Sequence, residues 1–81
     1  MKLGLRFKRA DHRVLTNTAQ RAALRELPEA VTLFTHAAEA AKTGELLILE
    51  AADLDDAMKI ADGFTQYGVG RPGIEAVSAD A

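Results

Sequence analysis

The sequence predicts an α+β domain on a four-stranded antiparallel sheet, and three observations carry that expectation. Lys2 to Lys8 alternates, with Leu3, Leu5 and Phe7 on one side and Gly4 and Arg6 on the other, the period of a half-buried strand. Leu46 to Leu49 is an unbroken apolar run of strand length between Gly44 and Glu50, the pattern of a strand covered on both faces. From Asp53 onward, Leu54, Ala57, Met58, Ala61 and Phe64 or Thr65 recur at helical spacing. The chain has 81 residues, so residues 1–81 form a single domain, too short to divide its apolar side chains between two cores.

Taken in order, Lys2 to Lys8 is the first strand and Asp11 to Asn17 reads as a polar turn. Asn17 or Thr18 then caps a helix with Ala19, Ala22, Ala23 and Leu27 along one stripe, Arg21, Arg25 and Glu26 facing water, and Pro28 at its end. Two readings stand for Glu29 to Lys42. Val31, Thr32, Leu33, Phe34 and Thr35 form a β-branched and aromatic run, which favours a strand over Ala30 to His36 and a hairpin connection over Ala37 to Glu45. Ala30, Leu33, Phe34, Ala37, Ala38 and Ala41 also fall at helical spacing, which favours a helix. We take the strand as the working expectation. Leu46 to Leu49 is the third strand, and Asp53 is the N-cap of the next helix, with Asp55 and Asp56 in the first turn where negative charge favours the helix dipole. Gly63, Gly68, Gly70, Pro72 and Gly73 punctuate its exit, Ile74 to Ser78 is the last strand, and the end of the chain, residues 78–81, is expected to fray.

This order is β-α-β-β-α-β, the ferredoxin-like split motif. Two helices cover one face of its sheet. The other face would carry Phe34, half of the Leu46 to Leu49 set and Val77, too much apolar surface for so small a domain to leave wet. Face-to-face pairing of two sheets into a dimeric α+β barrel would cover it, so a homodimer through the open sheet face is expected.

Composition narrows the function classes. A net charge of −2 with 5% aromatic residues argues against a nucleic-acid partner, and the run Arg6, Lys8, Arg9 and Arg13 reads as a solvated strand end. No apolar stretch is long enough to span a bilayer and Met1 to Arg9 has no signal-peptide apolar region, so no membrane partner and a cytoplasmic location are expected. With no cysteine there is no thiol nucleophile or thiolate metal site. The histidines and carboxylates lack a ligand spacing, and Gly68-x-Gly70 follows a helix instead of a strand, so neither a metal nor a nucleotide cofactor is expected.

The segment GELLILEAADLDDAMKIADGFTQYGV, Gly44 to Val69, resembles the YciI-like (YCII-related) family of small dimeric α+β barrel proteins. It is similar to that family's "GSLLILEA" strand, its "LDEA" helix start and its "DPF…AGV" helix exit, here Asp62-Gly63-Phe64 and Gly68-Val69. The resemblance implies the shared fold and dimer, and marks Asp62 as a site residue. Three departures stand beside it. The first helix lacks the family's histidine, His36 stands near where a Gly-Pro pair is expected, and Gly63 replaces the proline.

In the split topology the end of the first strand, the hairpin, the end of the second helix and the start of the last strand share one end of the domain. His12, His36, Asp62 and Arg71 would then meet at one cleft. Asp62 orienting His36 or His12 would make a general base, since a carboxylate fixes the ring and raises its basicity, while Arg71 and Phe64 would hold an anionic or aromatic ligand. Each has a plainer reading: His12 solvated in its turn, His36 at an exposed hairpin, Asp62 at a helix end, Arg71 in a turn. Two function classes follow: a non-catalytic dimeric module binding a small ligand or partner protein, or a cofactor-free enzyme of lyase or isomerase type using a His–Asp pair. The missing histidine and Gly-Pro pair favour the first.

Overall fold

The computed structural model describes residues 1–77; Ser78, expected to close the last strand, and the fraying expected over residues 78–81 lie outside the described residues. The domain is α+β, with strands β1 (Lys2–Arg6), β2 (Leu47–Glu50) and β3 (Gly73–Ala76) and helices α1 (His12–Leu24), α2 (Pro28–Thr43) and α3 (Leu54–Phe64). Single 3-10 turns at Arg9–Asp11 and Thr65–Tyr67 lead into α1 and out of α3.

The sheet order is β2-β1-β3, with β1 antiparallel to both neighbours. β2 and β3 therefore run parallel to each other on either side of β1, and β2-α3-β3 is a split β-α-β unit. This is the expected sheet without the strand beyond β2. The described residues form three strands, not four, because Ala30 to His36 lies within α2. Alternation over Ala30 to His36 would have put Ala30, Thr32, Phe34 and His36 on one face, mixed in polarity. The helix instead gathers Phe34, Ala37, Ala38 and Ala41 on one buried side. Pro28 occupies the first helical position, where its missing N–H costs nothing, and Gly44 closes the helix at φ 82°. The β-branched residues Val31, Thr32 and Thr35 cost the helix only about 0.7 kcal/mol or less each.

α1 also begins earlier than expected, at His12, since Val14, Leu15, Thr18, Ala19 and Ala22 make one stripe with Leu15 fully buried. Pro28 starts α2 instead of merely ending α1, and the two helices pack as an antiparallel hairpin. The turn between them is a Schellman motif: Glu26 N–H donates to the Ala23 carbonyl and Leu27 N–H to the Ala22 carbonyl.

The core lies on one face of the sheet. Leu3, Leu5 and Phe7 point into it, with Leu47 opposite Leu5 and Leu49 opposite Leu3. Phe64 on α3 stacks edge-on to Phe7 at 5.0 Å and to Phe34 of α2 at 5.7 Å, and Phe34 meets Tyr67 at 4.9 Å. Phe34 is thus a core residue, not an open-face one. At the start of α3, Asp53 Oδ1 accepts from Asp56 N–H at 2.8 Å while Asp56 Oδ2 accepts from Ala52 N–H at 2.9 Å, a reciprocal cap.

The opposite face is nearly bare. Gly4 lies beneath Leu46, whose side chain occupies the space a Cβ would take, and Ile48, opposite Gly4, is 49% exposed. Arg6 bonds Glu75 and the Gly44 carbonyl there, and the Glu75 carboxylate, by its hydrogen bond and then its charge, raises the Arg6 pKa above its ordinary value. No helix among the described residues is long and apolar enough to cross a membrane.

Candidate functional site

The α1–α2 hairpin creates a groove of about 290 Å³ along its outer side. Ala19, Ala23 and Ala38 pave it because alanine lets the two helix backbones approach closely, and Val31 adds the remaining apolar wall. His12 lies at one end, with Glu39 and Thr16 on the rim.

Being the first residue of α1 puts His12 against the second half of α2, where its Nδ1 is 2.9 Å from the Ala38 carbonyl oxygen. A carbonyl only accepts, so Nδ1 carries the proton. In the neutral ring, Nε2 is then the nitrogen with a free lone pair. The ring is half-buried and its turn is anchored from two sides. Thr16 Oγ1 donates to the His12 carbonyl at 2.9 Å, and Asp11 Oδ2 accepts from Gly70 N–H at 3.1 Å. Glu39 forms no ion pair among the described residues and shares the groove lining with His12. The groove therefore offers acceptors above an apolar floor, an arrangement suited to a ligand with a donor or cationic head and an apolar body.

The expected site residues are only partly gathered. Asp62 and Arg71 do meet, with Arg71 Nε 2.8 Å from Asp62 Oδ1, in a pair whose side chains are both about half exposed or more. The Asp11–Gly70 bond brings the His12 turn close to the same loop. No hydrogen bond among the described residues links either histidine to Asp62, and the Ala38 carbonyl, not a carboxylate, orients His12. His36 is exposed on α2, and Phe64 is buried between Phe7 and Phe34. Glu39 and Thr16 were missed by the sequence reading, and Ala19, Ala23 and Ala38 were read only as helix-face residues; the Thr35, Ala38, Glu39 spacing identifies the α2 wall once Glu29 to Lys42 is read as a helix. No group of three or more histidine and carboxylate side chains among the described residues could hold a metal ion.

Comparison with known proteins gives no matching family model, no matching curated protein and no matching solved structure.

Proposed function

We propose that this chain is a non-catalytic binding module, YciI-like and working as a homodimer, whose small-ligand site is the α1–α2 groove around His12. The observation that carries this reading is the fixed ring of His12: its Nδ1–H held by Ala38 leaves Nε2 as an acceptor at the end of an alanine-paved groove with Glu39 on the rim. A volume of about 290 Å³ is at the small end of ligand pockets, which run from about 300 Å³ upward, and suits a fragment-sized amphipathic molecule. The engagement of Asp62 with Arg71 favours binding over acid–base catalysis by a His–Asp pair. The similarity of Gly44 to Val69 to the YciI-like strand and helix supports the homodimer expected through the open sheet face, where Ile48 is exposed.

Benzylamine and benzoate, equal in size and opposite in charge, test the site. In amide-shift titrations benzylamine should move Thr16, Thr35, Ala38 and Glu39 together, bind at least several-fold tighter than benzoate, and lose that preference in Glu39→Gln. Scattered shifts, or equal response in His12→Ala, refute the assignment.

A further inference from the structure

The outer edge of β2 carries backbone groups without partners. Ala51 N–H donates to the Met1 carbonyl at 2.8 Å and the Met1 nitrogen donates back to the Ala51 carbonyl at 2.7 Å, so this is a hydrogen-bonded pair of the ladder. Such pairs recur at every second residue, and the register sets Leu3 opposite Leu49 and Leu5 opposite Leu47. The N–H and C=O groups of Leu47, Leu49 and Ala51 therefore point at β1. Those of Leu46, Ile48 and Glu50 point off the edge, and no other backbone among the described residues meets them.

Sheet edges are ordinarily blunted by lysine, proline, a bulge or a covering element. Leu46 to Leu49 has none of these residues, Ile48 is 49% exposed on the bare face, and Leu49 is only half-buried on the core face. The core thus thins at this edge, with Leu47 buried, Leu49 half-buried and Ile48 open. A bare face alone makes a small interface. Three strands of four or five residues cover on the order of 200 Å², against about 800 Å² per partner in a standard complex.

We propose that β2 is a strand-pairing edge whose partner is a second copy of this chain, joined by antiparallel β2–β2 pairing about a twofold axis at Ile48. This rests on the homodimer reading and moves its surface from the open sheet face to the β2 edge. The outward groups allow three nearby centres. An axis at Leu49 brings the two Glu50 side chains within about 7 Å along the strand, and one at Leu47 sets Glu45 against Leu49 on the core face. The axis at Ile48 keeps the two Glu50 side chains about 14 Å apart along the strand. It also sets Leu47 against the partner's Leu49 on the core face, and completes roughly six backbone hydrogen bonds. The result is a continuous six-stranded sheet in which the partner's β2 stands where the fourth strand was expected. α2, which packs on β2, then lies beside its counterpart, enlarging the contact beyond the strands.

The test is amide hydrogen exchange with light scattering on the full chain at about 20 μM and about 1 mM, a range that spans weak association. The expected result is a dimer at the higher concentration, with exchange at Ile48 and Glu50 slowed at least about tenfold while Leu47 and Leu49 change little. Ile48→Pro removes an N–H that the β1 ladder does not use and should hold the chain monomeric. Because the chain has no cysteine, Ile48→Cys gives an independent readout: paired residues about 5.5 Å apart at Cα suit a disulfide, so oxidation should cross-link the two copies. A dimer in which Ile48 and Glu50 still exchange freely overturns the edge and leaves the homodimer reading standing. A monomer at the higher concentration, without cross-linking, overturns both.

Discussion

Glu26 is the residue on which the α1–α2 hairpin turns, and replacing it with glycine should stabilise the protein. Its φ of 56° is a left-handed conformation that costs an L-residue roughly 1–2 kcal/mol. Glycine adopts it freely but adds roughly 0.5–1 kcal/mol of unfolded-state entropy, so Glu26→Gly should gain about 0.5–1 kcal/mol. The hydrogen bonds of the turn, Glu26 N–H to Ala23 at 3.1 Å and Leu27 N–H to Ala22 at 3.0 Å, are backbone bonds that the substitution leaves intact. For 81 residues at about 2.1 cal/mol/K each, the unfolding entropy is about 0.17 kcal/mol/K, so Tm should rise by about 3–6 °C. Differential scanning calorimetry on the wild type, Glu26→Gly and Glu26→Ala measures it. Alanine, strained in the same way as glutamate, should leave Tm nearly unchanged. If glycine melts no higher than alanine, the left-handed turn, and with it the hairpin that builds the groove, is wrong.

Three further substitutions probe the rest of the framework. Phe64→Ala removes the ring that joins Phe7 to Phe34 and should cost about 3–5 kcal/mol, enough in so small a domain to leave much of the chain unfolded by circular dichroism; Phe64→Leu should retain the fold. Asp53→Ala removes the side-chain acceptor for Asp56 N–H and should cost about 1 kcal/mol in urea unfolding with an unchanged m-value. Asp62→Asn breaks only an exposed pair with Arg71, so the loss should be under about 1 kcal/mol and should shrink further in high salt.

Where local pattern and tertiary need coincide, the sequence was legible. The strand expected at Leu46 to Leu49, observed as Leu47–Glu50, and the cap at Asp53 could be read directly. The expected cover on both faces of that strand is not seen, since Ile48 is 49% exposed. The central strand was equally plain from Leu3, Leu5 and Phe7. Pro28 to Thr43 was harder, since β-branched residues and alanines alternate in influence over seven positions. The outcome depends on Ala37, Ala38 and Ala41, which matter only once α1 is there to pack against them. The site inherited that ambiguity. Asp62 and Arg71 meet because the end of α3 and the approach to β3 are close in any split β-α-β unit. The groove around His12 exists only if its neighbour is a helix, because the carbonyl that fixes its ring belongs to that helix.

Gly4 shows why the bare face of the sheet is not simply vacant. An added Cβ there would come within 2.7 Å of Leu46 Cδ1, and within 3.1 and 3.2 Å of Leu46 Cβ and Cγ. A clash with Cδ1 alone would be relieved by rotating the end of the side chain, but the contacts with Cβ and Cγ require the whole residue to move. Two effects oppose each other in Gly4→Ala. Removing glycine from a strand gains roughly 0.5–1 kcal/mol. Overpacking costs about 1–3 kcal/mol, and the displaced Leu46 loses its cover. The second should win by about 1 kcal/mol in chemical denaturation. Gly4→Ala combined with Leu46→Ala removes Cδ1 and Cγ and leaves only the 3.1 Å contact with Cβ, so in a double-mutant cycle the pair should show a favourable coupling of about 1 kcal/mol. Strict additivity would mean that Leu46 does not rest on Gly4, and that the side chain stands free beside Ile48.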